Sequence, residues 1–224
     1  MLLKSEGKRI LAGFGYCPST NNYKVVRINK RIAEVFTLGS GIGWRNAGNM
    51  DYDVPAWFQN RGVYVDGAIY WMDKQGTILS LDLADEEFHE LSTLPCLPRA
   101  GFIPSFTISL QVLGDFLCAF YHSGESWKIW SLKNNKNHQH VIWSEEFSYV
   151  NDVNIQPIIF TKSGGILCYD KNVYRYAPEA SSPRVLVSFG ENVTYFGFLH
   201  KHTIVSLKAL GEQEKLMGPV EREI

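Results

Sequence analysis

Short runs of alternating apolar and polar residues, separated by turn-forming residues, follow one another along most of the chain. The pairs Asp66-Gly67 and Gly114-Asp115 and the triplet Ser163-Gly164-Gly165 each lie between two such runs. Glycine and aspartate at these places are typical of tight β-hairpins, because they tolerate the positive φ that a short turn requires. The periodicity of an amphipathic helix is almost absent. The pattern therefore predicts a protein of antiparallel strands.

These hairpins belong to a longer repeating unit, in which a further apolar strand, a polar turn and a short closing strand follow. Phe36, Leu79, Trp130 and Tyr174 occupy equivalent places in four units and recur about every 45 residues. Four strands in a repeat of this length are typical of a β-propeller blade. We therefore predict an all-β, β-propeller-like array of antiparallel blades over residues 1–210, followed by a polar, disordered tail over 211–224.

The predicted array holds about four to five blades' worth of strands, including a last hairpin at 193–207. That number is small for a closed ring, and an open ring would leave unpaired strand edges. We expect one of two arrangements. Either the array is incomplete and is part of a larger protein, or its two ends pair with each other.

The first hairpin, Gly13 to Ile28, is the most distinctive segment of the chain. Its first strand contains Phe14 and Tyr16, its turn is formed by residues 18–22, and its second strand is rich in β-branched residues. We expect Phe14 and Tyr16 to pack in the core together with Val25, Val26 and Ile28. The role of the hairpin is then structural.

Composition and charge narrow the classes of partner. Hydrophobic residues make up 45% of the 224 residues, which is enough for a substantial core. The 22 basic and 23 acidic residues nearly cancel, so the formal net charge is −1. We do not expect nucleic acid as a partner, because its binding requires a strongly basic surface. We do not expect a membrane either, because anionic lipid requires the same kind of surface and a membrane span requires a long apolar segment.

The four cysteines, Cys17, Cys96, Cys118 and Cys168, include no Cys-x-x-Cys pair. Most have apolar or aromatic neighbours, which favours buried free thiols over disulfides. Free thiols are typical of a reducing compartment. The chain has no recognisable secretory signal, so we predict a cytoplasmic or nuclear location.

No established catalytic motif is present, and we predict no cofactor and no resident metal. His138 and His140, and likewise His200 and His202, would share one face of a strand, but neither pair has a third ligand nearby in the sequence. The acidic run 82–87 is interpreted as a solvated turn. The alternative is a carbohydrate-active or metal-dependent propeller enzyme that uses these groups in a central pocket.

Aromatic residues make up 13% of the chain, and most lie on alternating strand positions where core packing is expected. A few lie in or beside predicted turns, where aromatic and arginine side chains are typical of protein-binding hot spots. The alternative for each of them is core packing. The candidate partner-binding residues are Trp44, Arg45, Trp57, Phe58, Tyr121, Trp127 and Tyr149.

Several ordered segments resemble the F-box-associated domain of plant F-box proteins, which include kelch-like substrate receptors. Residues 13–28 resemble the family's opening hairpin, with Cys17 where the family usually has Asp. Residues 33–45, 62–71 and 78–95 are similar to three further family segments, and the remainder agrees more loosely.

The resemblance implies a non-catalytic domain that holds a target protein for a Skp–cullin–F-box ubiquitin ligase. The helical F-box of the family, which binds the Skp adaptor, has no counterpart in this chain. Adaptor and cullin are therefore expected as partners only if the full-length protein carries an F-box. Cys17 lacks the oxygen that Asp would offer to the turn, so we expect a looser turn than in the relatives.

Overall fold

A computed structural model describes residues 10–50, 61–73, 75–91, 93–95, 108–123, 126–134, 141–150, 155–177, 180 and 182–190. These residues form sixteen strands, arranged as four antiparallel sheets of four strands each. The all-β prediction is confirmed. The predicted last hairpin and the predicted tail lie outside the described residues.

Each sheet is a meander of four consecutive strands, and we number the sheets as blades 1 to 4 in chain order. Blade 1 contains β1 (Ile10–Cys17), β2 (Asn22–Asn29), β3 (Ile32–Thr37) and β4 (Trp44–Asn49). Blade 2 contains β5 (Val63–Val65), β6 (Ala68–Met72), β7 (Ile78–Asp82) and β8 (Phe88–Leu91). Blade 3 contains β9 (Ile108–Leu113), β10 (Phe116–Ser123), β11 (Ser126–Asn134) and β12 (Val141–Val150). Blade 4 contains β13 (Gln156–Phe160), β14 (Ile166–Tyr169), β15 (Asn172–Tyr176) and β16 (Arg184–Ser188).

The predicted repeat coincides with the blades. Phe36, Leu79, Trp130 and Tyr174 lie on the third strand of blades 1, 2, 3 and 4, respectively. The unit read from the sequence is therefore one blade.

The three predicted hairpin turns join the first and second strands of blades 2, 3 and 4. Asp66 and Gly67 have φ values of 43° and 83°, as a type I′ turn requires. Gly114 and Gly164 have φ values of 70° and 81°, which a residue with a side chain rarely adopts. Turn chemistry thus determines where each hairpin reverses.

The blades follow one another through their first strands, because β1 contacts β5, β5 contacts β9, and β9 contacts β13. Ala12 of β1 and Arg61 form a parallel bridge, and the Gly62 amide donates to the Ala12 carbonyl over 2.6 Å. The chain therefore enters blade 2 alongside β1 and in the same direction. Consecutive blades with adjacent first strands are the arrangement of a β-propeller.

The core consists of three apolar seams, one between each pair of consecutive blades. Val26 and Val35 of blade 1 pack with Ile69 and Trp71 of blade 2 in the first seam. Blades 2 and 3 are covered on both faces, and consequently β7 is almost continuously apolar and buried.

The prediction that Phe14 packs in the core is wrong. Its side chain is 54% exposed, and Tyr16 is only half-buried. The buried face of β1 carries Gly13, Gly15 and Cys17 instead, because side chains of blade 2 fill the space beside the two glycines. A β carbon on Gly13 would lie 2.8 Å from Ile69 Cγ2. Val26 and Ile28 are buried as predicted, whereas Val25 is half-buried.

Cys17, Cys118 and Cys168 are buried free thiols, as predicted, while Cys96 lies outside the described residues. Burial raises the pKa of the Cys118 thiol to about 12 and also raises the pKa of Cys168. Burial has the same tendency at Cys17, but hydrogen bonds with Ser19 and Thr20 outweigh it and lower the pKa of this thiol. The Cys17 sulfur lies 3.3 Å from Ser19 Oγ, so the cysteine still has a polar contact within the turn.

Candidate functional site: the aromatic face of blade 1

The strand registers of blade 1 place large side chains in a row across the whole sheet. Phe14 lies opposite Val25, Val25 opposite Phe36, and Phe36 opposite Trp44. The row lies on the face that is turned away from blade 2, because the alternate residues of the same strands are buried against blade 2. No element among the described residues of the chain packs on this face.

Tyr16 and Tyr23 extend the row towards the turn between β1 and β2. The rings of Phe14 and Tyr23 are stacked, with centroids 5.7 Å apart and planes only 6° from parallel. The Tyr16 and Tyr23 ring centroids are 5.2 Å apart, and the Tyr16 hydroxyl donates to Asn21 Oδ1 over 2.8 Å. We call this surface the aromatic face of blade 1. It is defined by Phe14, Tyr16, Tyr23, Phe36 and Trp44.

A cation lies beside the last ring of the row. The Arg27 guanidinium carbon is 4.0 Å from the centre of the Trp44 ring, within the range of a cation–π contact. Arg27 Nε also donates to Glu34 Oε2 over 2.6 Å. This hydrogen bond is the main reason why the pKa of Glu34 is lowered. The rings of Phe36 and Trp44 are 5.5 Å apart, so Trp44 is held from two sides.

Arg45 follows Trp44 but serves a different contact. Its guanidinium donates to Thr37 Oγ1 over 3.0 Å and to the carboxylate of Glu86, which lies in the turn between β7 and β8. Lys24 is buried and also binds Glu86, over 2.8 Å, and it donates to the Leu83 carbonyl. One carboxylate of blade 2 therefore bridges two cations of blade 1.

The bridge determines the ionisation of Glu86. Burial tends to raise its pKa, but the hydrogen bonds from Lys24 and Arg45 outweigh burial, so the pKa of Glu86 is lowered. The carboxylate is therefore ionised at neutral pH, and it compensates a lysine that would otherwise be buried without a counter-charge. Arg45 thus connects two blades.

The seven predicted partner-binding residues do not form one patch in the described part of the chain. Trp44 and Arg45 lie on blade 1, whereas Tyr121, Trp127 and Tyr149 lie on blade 3. Trp57 and Phe58 lie outside the described residues.

On blade 3, the three candidates are divided between two seams. Tyr121 packs in the seam with blade 2, and Trp127 and Tyr149 pack in the seam with blade 4. Trp127 has no exposed surface, and its ring contacts Tyr149 at 6.0 Å and Tyr176 at 5.5 Å. Its position is that of a core residue.

Sequence reasoning missed the aromatic face except for Trp44. The missed residues are Phe14 and Tyr16, for which the sequence predicts core packing, and Tyr23, Phe36 and Arg27. The alternation of Gly13 and Gly15 with Phe14 and Tyr16 was a usable signal. When glycines line one face of a strand, a neighbouring element can approach that face closely, and the aromatic residues then lie on the other.

The acidic turn of blade 2 was the predicted alternative site. Glu86 is engaged by Lys24 and Arg45, whereas Asp85, Glu87 and His89 are exposed, with ligand atoms within 4.8 Å of one another. The Asp82 and Asp85 side chains accept hydrogen bonds from the Ala84 and Glu87 amides of the same turn. The four histidines at 138, 140, 200 and 202 lie outside the described residues.

Four-stranded blades joined in series, with an aromatic face on blade 1 that includes the exposed Phe14, define the described part of the chain as a propeller-type β domain with a candidate protein-binding surface. The chain belongs to the F-box associated beta propeller domain family, whose model matches residues 3–203. The resemblance seen in the sequence is thereby confirmed. Among the described residues, no helix is both long and apolar enough to cross a membrane.

One curated relative is an F-box/LRR-repeat protein of Arabidopsis thaliana. It is 26% identical over 200 residues, which cover 78% of this chain. The chain spans 45% of the length of this relative.

Similar solved structures include the N-terminal domain of Nup159, with 12% identity and a TM-score of 0.43 over 79% of this chain and 47% of that protein. YCF48 from Cyanidioschyzon merolae has 9% identity and a TM-score of 0.44 over 84% of this chain and 59% of that protein.

Proposed function

We propose that this domain is the non-catalytic, substrate-recognition part of a Skp–cullin–F-box ubiquitin ligase and that it binds a target protein for ubiquitination. Membership of the F-box associated family supports this role. A relative described as an F-box/LRR-repeat protein supports it as well. The Skp adaptor and the cullin are partners if the full-length protein carries an F-box, and the place of action is the cytoplasm or nucleus.

The observation that carries the proposal is the aromatic face of blade 1. Phe14 is 54% exposed, and its ring is held by the parallel stack with Tyr23. Aromatic and arginine side chains that are held in place before binding are the usual centre of a protein–protein interface, since little side-chain entropy is lost on binding. Trp44, clamped between Phe36 and Arg27, meets the same description.

The proposal is tested in plant cells with the full-length protein and two matched variants, Phe14→Ser and Phe116→Ser. Phe116 is 52% exposed and lies on blade 3, so both changes remove an equally exposed ring. The measurement is the set of proteins that lose ubiquitin conjugates when the wild-type gene is silenced. Adaptor co-purification is recorded from the same cells.

We expect Phe14→Ser to abolish the ubiquitination of these proteins while adaptor binding persists, and Phe116→Ser to behave as the wild type. Loss of one hot-spot side chain typically costs about 2 kcal/mol or more of binding free energy, about a thirtyfold change in affinity. The proposal fails if no protein depends on the wild-type gene for ubiquitination, or if the adaptor does not bind the full-length product. Equal effects of the two variants would exclude the aromatic face as the contact.

A further inference from the structure

Blade 4 is basic in a chain that is slightly acidic overall. Residues 155–190 contain four basic and two acidic residues, whereas the whole chain has a net charge of −1. Asp170, one of the two acidic residues, accepts hydrogen bonds from the Asn172 amide and the Tyr174 hydroxyl, at the end of β15 remote from Arg175. The other acidic residue, Glu179, lies outside the described residues. In the described part of blade 4 the opposite end carries Lys162, Arg175 and Arg184 and no carboxylate.

Two arginines form the centre of this charge. Arg175 of β15 and Arg184 of β16 are directly opposite one another in the antiparallel register, so their side chains project from the same face. Arg175 Nη2 donates to Ser163 Oγ over 2.6 Å, in the turn that joins β13 to β14, and Lys162 is the exposed neighbour of that serine. We call Arg175 and Arg184 the arginine pair of blade 4. Lys162 and Ser163 lie beside this pair.

The arginine pair is not neutralised within the described part of the chain. Other cations on the strands have a carboxylate at ion-pair distance, including Lys24, Arg27, Arg45, Lys128 and Lys133. Neither Arg175 nor Arg184 has one among the described residues, and Arg175 Nε is buried without a hydrogen-bond partner there. Like charges that face each other across two strands destabilise a sheet. An anion bound between them would remove this repulsion.

The strand beside the pair indicates what kind of molecule carries the anion. Among the described strands, β16 is the outermost of blade 4, and Val185, Leu186 and Val187 are each 45–51% exposed. An outermost strand offers unpaired backbone groups to an added extended segment. Arg184 begins this strand, so a segment along β16 would place its own end residue beside the two guanidinium groups.

We infer that the arginine pair of blade 4 binds a phosphate or carboxylate group of an extended target segment, whose apolar residues lie along β16. The inference rests on the proposed function, because it assigns the class of target that the domain takes. Planar guanidinium groups bind both phosphate and carboxylate oxygens with paired, charge-assisted hydrogen bonds.

The test uses the purified chain and three short fluorescein-labelled peptides that alternate valine and threonine. They differ only at the first residue, which is phosphoserine, glutamate or serine, and binding is followed by fluorescence anisotropy. The variants are Arg175→Gln, Arg184→Gln and, as a matched control, Lys171→Gln. Lys171 is exposed and precedes the opposite end of β15, so its removal changes the net charge of the blade equally. Thermal melting verifies that each variant is folded.

We expect the phosphoserine peptide to bind more tightly than the serine peptide, and each arginine variant to weaken its binding at least about tenfold. Lys171→Gln should change the affinity less than about twofold at physiological salt, because charges a Debye length away are screened. Tight binding of the glutamate peptide would identify carboxylates as a second source of the anion. Equal affinities for the phosphoserine and serine peptides, or an equal loss in all three variants, would overturn the inference.

Failure of this inference can be distinguished from failure of the proposed function. The peptide measurement needs neither the adaptor nor the ligase, so a chain that is not part of a ligase could still bind the phosphoserine peptide. Conversely, a ligase component that recognises its target elsewhere would ubiquitinate it equally well in the Arg175→Gln and Arg184→Gln variants.

Discussion

Replacing Gly15 by alanine should destabilise the seam between blades 1 and 2. A β carbon at this position would lie 2.7 Å from Leu83 Cδ1 and 2.8 Å from Tyr64 Cε2, about 1 Å closer than carbon atoms pack. Overpacking of this kind costs about 1–3 kcal/mol, and the two close neighbours place Gly15 in the upper part of that range. Alanine is intrinsically better than glycine in a strand by about 0.5–1 kcal/mol. The net loss should therefore be about 2 kcal/mol.

The assay is thermal unfolding of the purified chain, followed by circular dichroism. For a protein of this size, about 2 kcal/mol corresponds to a fall in Tm of about 4–8 °C. The matched control is Ala12→Val, which adds carbon atoms to the exposed face of the same strand and should leave Tm within about 2 °C. An unchanged or higher Tm for Gly15→Ala would refute the close packing of β1 on blade 2.

Two further predictions concern ionisable groups in the seams. Glu86→Gln should destabilise the chain by about 1–3 kcal/mol at neutral pH, because it leaves the buried Lys24 without a counter-charge. The control is Glu145→Gln, which removes the carboxylate of a more exposed ion pair and should cost less than about 1 kcal/mol. The pKa of Glu86 is lowered in the folded state, so the stabilisation by its carboxylate is complete above the ordinary carboxyl range. This stabilisation is lost as the pH falls through the lowered pKa. In urea unfolding, the free energies of the wild type and of Glu86→Gln should therefore converge in acid. A constant difference at all pH values would contradict this account. Among the three described cysteines, iodoacetamide should modify Cys17 before Cys118 and Cys168, because Cys17 is the one of these three whose thiol pKa is lowered. Peptide mass spectrometry measures the order, and faster labelling of Cys118 or Cys168 would contradict the prediction.

Much of the fold was predictable because the signals are local. Turn residues such as Asp66-Gly67 determine their own backbone conformation, and a short apolar run between two turns can hardly be anything but a strand. The repeat length then groups the strands into blades without any knowledge of contacts. Strand order within a blade follows as well, since consecutive strands joined by short turns pair with each other.

Which face of each strand is buried was harder to predict. The alternation of apolar and polar residues distinguishes two faces of a strand but does not show which neighbouring element covers each face. In an interior blade both faces are covered, so polarity gives no contrast. Trp127 illustrates the difficulty: it follows a predicted turn, as an exposed residue would, yet it is completely buried between blades 3 and 4. The ion pair of Lys24 with Glu86 joins residues that are far apart in the sequence, and no local pattern indicates it.

The two faces of β1 contribute to the candidate site and to the seam between blades 1 and 2. A strand has a side-chain period of two, so the glycines that allow blade 2 to approach require Phe14 and Tyr16 to lie on the opposite face. Adding a side chain at Gly15 should therefore lower stability, whereas removing the exposed ring of Phe14 should lower binding with little effect on stability. If β1 serves both stability and binding, substitutions at Gly15 and Phe14 will show the two effects separately. The opening hairpin then contributes to recognition as well as to the fold.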